Sequence, residues 1–162
     1  MRNSIVQTQT EEVKRFLEKT LVVIAGFLNE TKLSELIHEE GVEKEYSEGI
    51  LSVLRRILVS CEDGKDACSL ALQCEPFNKM AAEKALFSIY HLCIEEFFSP
   101  KNDSWYEDPR SAYTGKQAIK FRKAAPQKVQ ELISSLELDF QRFREELDYY
   151  ETDYRTKMMQ SK

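Results

Sequence analysis

Apolar residues recur along this chain at the three- and four-residue steps of amphipathic helices, except in one long internal stretch. Near the start, Val6, Val13, Phe16, Leu17, Leu21, Ile24, Phe27 and Leu28 fall close to a single helical stripe. Val22 and Val23 widen that stripe, so a first helix of about Ser4–Asn29 is expected, with its second half buried on more than one side. Lys32 to Lys44 reads as a connector with a helical turn, closed by Gly41. A second helix, about Glu43–Cys74, carries Tyr46, Ile50, Val53, Leu54, Ile57, Leu58, Cys61, Cys68 and Leu72 near one side. Asp63, Gly64 and Asp66 interrupt it, and glycine costs about 1 kcal/mol against alanine inside a helix, so a kink is expected there.

Glu75-Pro76 marks a break, because proline disfavours helix in the residue before it and is tolerated at a first helical position. The third helix is expected to start there and run to about Phe98, burying Phe77, Met80, Ala81, Ala85, Ile89, Cys93 and Phe97; Ser99-Pro100 ends it. Ala125-Pro126 repeats the start signal. After it, Ile133, Leu136, Phe140, Phe143, Leu147, Tyr150 and Tyr154 alternate steps of three and four, the seam of a left-handed helix pair. Continued to about Met158, this helix would be roughly 50 Å long and would overhang the third. Its tyrosine-rich end would then pack on the first helix or on a second copy of the chain. The pattern predicts an all-α fold: one domain over residues 1–162, a four-helix bundle with a long loop, 99–124, between helices 3 and 4.

Composition narrows this picture. A chain of 162 residues buries roughly 70% of its unfolded surface, enough for a core without metal or disulfide staples. A formal charge of −5 weighs against nucleic acid and anionic membranes as partners, since both need a basic face. The longest apolar run, Leu21–Leu28, is far too short to span a bilayer, and Glu11, Glu12 and Glu18 before it do not suit a signal peptide. A cytoplasmic protein is expected. Cys61, Cys68, Cys74 and Cys93 lack CxxC spacing and suit the role of small buried hydrophobes in a reducing compartment.

Recognisable chemistry is sparse. A di-iron carboxylate site needs two Glu-x-x-His pairs, whereas the chain has only His38 and His91. His91 has no recognisable Ser or Cys elbow to activate, and His38 sits in a connector. Thr114-Gly115-Lys116 resembles the end of a phosphate loop, but Arg110 stands where the earlier glycine belongs and no strand precedes it. No cofactor, metal ligand or catalytic residue is therefore assigned. The 99–124 loop is the remaining candidate. Loops of this length inside a domain are uncommon, and this one has six bases against three acids, a net +3 that leaves −8 for the rest. Lys101, Arg110 and Lys116, interleaved with Trp105, Tyr106 and Tyr113, form a candidate site for a phosphorylated ligand. The structural alternative is an Ω-like loop whose aromatics plug the bundle and whose charges pair internally.

The segments FNKMAAEKALFSIYHLCIEEFFSPKNDSWYEDPRSAYTGK and REELDYYETDYRTKMMQSK resemble the YpuI-like family of uncharacterised proteins from Bacillus and its relatives. That resemblance implies a bacterial, cytosolic setting and brings no activity, cofactor or catalytic residue with it. The reading that follows is a non-catalytic interaction or regulatory protein with an unidentified protein partner or a homodimeric one; the alternative is a phosphorylated-ligand or nucleotide-binding module, or an enzyme, using the loop.

Overall fold

In the computed structural model, which describes residues 2–109 and 118–160, the first stripe becomes helix α1, Arg2–Glu30. Val13, Leu17 and Ile24 are fully buried along it. Two buried threonines sit on the same helix because each hydroxyl turns back onto its own backbone, Thr10 donating to the Val6 carbonyl and Thr20 to that of Phe16. The second half of α1 is less enclosed than its composition suggests: Val22 is 74% exposed and Phe27 and Leu28 are half-buried, because neighbouring helices cover one face only.

A short α2, Leu33–Leu36, buries Leu36, and Gly41 turns the chain at φ +81° into α3, Lys44–Gln73. No break interrupts α3 at Asp63–Asp66. Gly64 is there for another reason: a Cβ on it would lie 2.7 Å from Ile89 Cγ1 and 3.1 Å from Leu17 Cδ1, so the missing side chain lets three helices meet. Tertiary packing outweighs the propensity penalty at this position.

The third helix begins later than Pro76. The Asn78 side chain accepts from the Ala81 N–H at 3.0 Å and caps α4, Lys79–Ile89. Ala82, Ala85, Leu86 and Ile89 face inward, which places Met80 on the opposite side, 71% exposed rather than buried. At Tyr90–Ile94 the helix widens to a π turn, the Glu95 N–H reaching the Tyr90 carbonyl, before α5, Glu95–Phe98, completes the rod. The extra residue shifts the inward face so that Tyr90, Cys93, Ile94, Phe97 and Phe98 are all buried.

The region read as irregular loop contains a small antiparallel sheet. Strands β1, Trp105–Glu107, and β2, Ile119–Phe121, pair Trp105 with Phe121 and Glu107 with Ile119. The fold is mostly helical with this two-stranded addition. Helix α6, Gln127–Glu146, supplies the seam: Phe140 stacks on Phe97 at 4.0 Å, and Phe16 stacks on Phe143 at 4.4 Å and meets Phe140 edge-on. The seam does not continue as one rod to Met158. Leu147 adopts φ −99°, ψ 11° and Thr152 breaks the chain again, giving α7, Asp148–Glu151, and α8, Asp153–Gln160. These bends fold Leu147, Tyr150 and Tyr154 onto the core instead of carrying them past it.

Candidate functional site

Two aromatic and basic regions flank the α4–α5 rod. The first is the hairpin that follows α5. Trp105 has no exposed surface, and its indole N–H donates to the Phe97 carbonyl, left over at the end of α5, at 2.6 Å. The Tyr46 hydroxyl of α3 donates to the Ser104 carbonyl. Asn102 accepts from the Ser104 N–H and donates to the Gly49 carbonyl, while Asp103 takes a left-handed conformation at φ +57°. Arg144 of α6 forks onto Glu107 at 2.6 and 2.8 Å and lies over the Phe98 ring. Buried Glu137 receives the Ala118 N–H at 2.8 Å.

Of the residues singled out from the sequence, Lys101 is exposed and its backbone N–H points to the buried Glu96 carboxylate, which also pairs with Arg56. Tyr106 is half-buried beneath the Arg122 guanidinium at 4.0 Å, and Arg122 itself pairs with Asp103. Trp105 is an anchor with no face open to a ligand. Arg110, Tyr113 and Lys116 lie outside the described residues. The described part of the loop thus turns Trp105, Tyr106, Glu107, Arg122 and Lys123 onto the protein itself, while Lys101 and Lys120 stay exposed.

The second region is the C-terminal turn. Here Tyr150 and Tyr154 are buried, Tyr154 against Phe87 at 5.5 Å, while the Tyr90 hydroxyl reaches Glu151 at 3.2 Å. Burial, with Glu83 adding to it, raises both tyrosine hydroxyls above their ordinary pKa. Two grooves run beside these rings. One, of about 370 Å³, lies between Ile5, Lys79, Glu83, Tyr149 and Lys157; the other, of about 290 Å³, lies between Lys84, Phe87, Arg155, Met158 and Met159. Met159 is 71% exposed and Tyr149 41%. Lys79, Lys84, Arg155 and Lys157 make no ion pair or hydrogen bond with any described residue, and Glu83 is the one acid among the residues lining the two grooves.

Sequence reading passed over these four cations because each pair looks ordinary in its own helix. The nearest local signal is the run Arg155 to Met159, which sets two bases beside two flexible, polarisable methionines. Neither histidine lines these grooves: His38 is exposed in the connector, and His91 Nδ1 lies 3.3 Å from Glu95, its ring edge-on to Phe87 and Tyr90. Among the described residues, no helix is long and apolar enough to cross a membrane.

No solved structure matches this chain. It is 44% identical to the uncharacterised protein YpuI of Bacillus subtilis (strain 168), over 93% of this chain and 84% of that protein. A family model described as a protein of unknown function, DUF3907, matches residues 10–156, and the chain belongs to that family.

Proposed function

We propose that this protein is a non-catalytic interaction protein of the cytoplasm, a single four-helix-bundle domain whose recognition surface is the C-terminal turn. One observation carries the reading. Four cations that pair with no described residue line two grooves at this turn, one of mixed polarity and one largely apolar, on a chain whose net charge is −5. At Arg144–Glu107 and Arg56–Glu96, by contrast, basic side chains pair within the fold. An exposed apolar strip flanked by four basic side chains against the single acid Glu83 fits a partner presenting apolar side chains flanked by acids, as an acidic amphipathic helix does. Methionine suits such a contact because its unbranched chain adapts to the surface it meets.

A photo-crosslinking residue in place of Met159, compared with one in place of Val59 on exposed α3, tests this inside cells. Adducts specific to position 159 that disappear with Lys84→Glu and Arg155→Glu support the reading. Equal crosslinking at both positions removes it. A covalent dimer of this chain at position 159 would replace the acidic helix by a second copy as the partner.

A further inference from the structure

We infer that Cys61 and Cys93 form an oxidisable dithiol, a site of reversible disulfide formation inside the helical core. Cys61 lies midway along α3 and Cys93 in the π turn, 32 positions apart in the chain, yet their Sγ atoms are 2.9 Å apart and both residues are fully buried. A disulfide has its sulfurs about 2.05 Å apart, so closure asks for less than about 1 Å of further approach. The π turn creates this pairing, since its extra residue rotates Cys93 relative to a regular continuation of α4. Cys61, Cys68 and Cys93 are all buried, but it is Cys61 and Cys93 whose sulfurs touch.

The placement gives the bond a structural consequence. Tyr90, at the start of the π turn, holds Glu151 of the C-terminal turn, and Phe97, just beyond it, holds Trp105 of the hairpin. A bond from Cys93 to α3 would tether the segment that joins these two regions. The hydrogen bond to Cys61 and then burial raise the Cys93 pKa, so in the closed core this thiol keeps its proton, and the pair reacts when the core opens locally. The oxidant is a peroxide. One cysteine, as thiolate, attacks the peroxide oxygen to give a sulfenic acid and release water or an alcohol; the second thiol then attacks that sulfur, releasing water and forming the S–S bond. Each disulfide consumes one peroxide, and a dithiol reductant reverses the bond by exchange. In a reducing compartment the dithiol is the resting form.

Full-length protein carrying Cys74→Ser, which removes the exposed thiol, is treated with hydrogen peroxide, denatured, alkylated and mapped without reduction. The expected product has lost two hydrogens, yields a linked Cys61–Cys93 peptide, retains Cys68 as an alkylated thiol and reverts with dithiothreitol. Its rate of formation should rise several-fold in urea below the unfolding transition. Recovery of Cys61 and Cys93 as alkylated thiols under those conditions overturns the proposal, as does a bond from either one to Cys68. A bond that forms only after complete unfolding overturns it too, since it would owe nothing to the folded geometry.

Discussion

The hairpin after α5 and the C-terminal turn after α6 use similar residues in opposite ways. Both mix aromatic rings with basic side chains on short elements. In the hairpin, Trp105 is fully buried on the Phe97 carbonyl, Arg122 covers Tyr106 and Arg144 clasps Glu107. In the C-terminal turn, Tyr150 and Tyr154 face inward, but Tyr149, Met159 and four cations that pair with no described residue remain at the surface. Composition alone therefore does not separate a structural plug from a recognition surface. The separation lies in whether polar tips and charges find partners within the chain, because satisfied groups hold the fold while unsatisfied exposed ones are available to another molecule.

The largest effect expected from this contrast is at the plug. Trp105→Ala should cost about 3 to 5 kcal/mol, the range for truncating a buried large aromatic. Trp105→Phe keeps most of the apolar volume but leaves the Phe97 carbonyl without its donor, a loss of about 1 to 3 kcal/mol. Urea denaturation of both variants checks this, and a loss below about 0.5 kcal/mol for the alanine variant would show that the hairpin is not part of the cooperative core. At the root of the other region, Leu147→Ala should cost about 2 to 5 kcal/mol, since Leu147 is fully buried although it sits at a helix break.

A smaller effect tests how the core joins the two regions. Gly64→Ala adds a methyl that would meet Ile89 Cγ1 at 2.7 Å. Overpacking of this kind costs about 1 to 3 kcal/mol, partly offset by the gain of about 1 kcal/mol from replacing glycine inside a helix. A net loss is expected, and in a background of Ile89→Ala, which removes Cγ1, adding Gly64→Ala should cost less than it does alone. A stabilised single variant would instead restore propensity as the reason to question this glycine.

Alkaline pH reaches the C-terminal turn through Tyr150. Burial raises the Tyr150 hydroxyl above its ordinary pKa of about 10, so the folded state keeps that proton where the unfolded chain has lost it. Folded protein then binds more protons than unfolded, and stability, complete below about pH 10, falls as pH rises through that value toward the higher folded pKa. Tyr150→Phe should flatten the decline measured by denaturation between about pH 9 and 11. An unchanged slope would mean that the hydroxyl is solvated in solution.

Helices α1, α3 and α6 were legible in the sequence because each has its own periodic stripe and needs no distant residue to define it. The features that were not legible depend on contacts between segments. Strands of three residues are too short to show alternation, and β1 finds β2 only through non-local pairing. Leu147 and Thr152 carry no breaker chemistry, yet bending there buries Tyr150 and Tyr154 better than a straight rod would. Gly64 looked like a break because its Ile89 and Leu17 contacts belong to other helices. The candidate surface was hidden likewise: Lys79 and Lys84 lie on α4, Arg155 and Lys157 on α8, and only the fold brings them around common grooves. Aromatic richness around Trp105 was visible, whereas the direction in which the ring points was not.

The smallest stability effect is expected at that surface, and its smallness is the point. Lys84→Glu combined with Arg155→Glu alters two exposed residues that pair with no described residue, so folding stability should move by no more than about 0.5 kcal/mol. The same reversal places two new negative charges beside the groove formed by Phe87, Met158 and Met159, where an acidic partner would be repelled. Circular dichroism melting and the position-159 crosslink should therefore separate: an unchanged melt with lost adducts marks a surface used for recognition. A melt lowered as far as that of Trp105→Phe would mean that these cations hold the C-terminal turn in place, and the two regions would then differ in geometry but not in role.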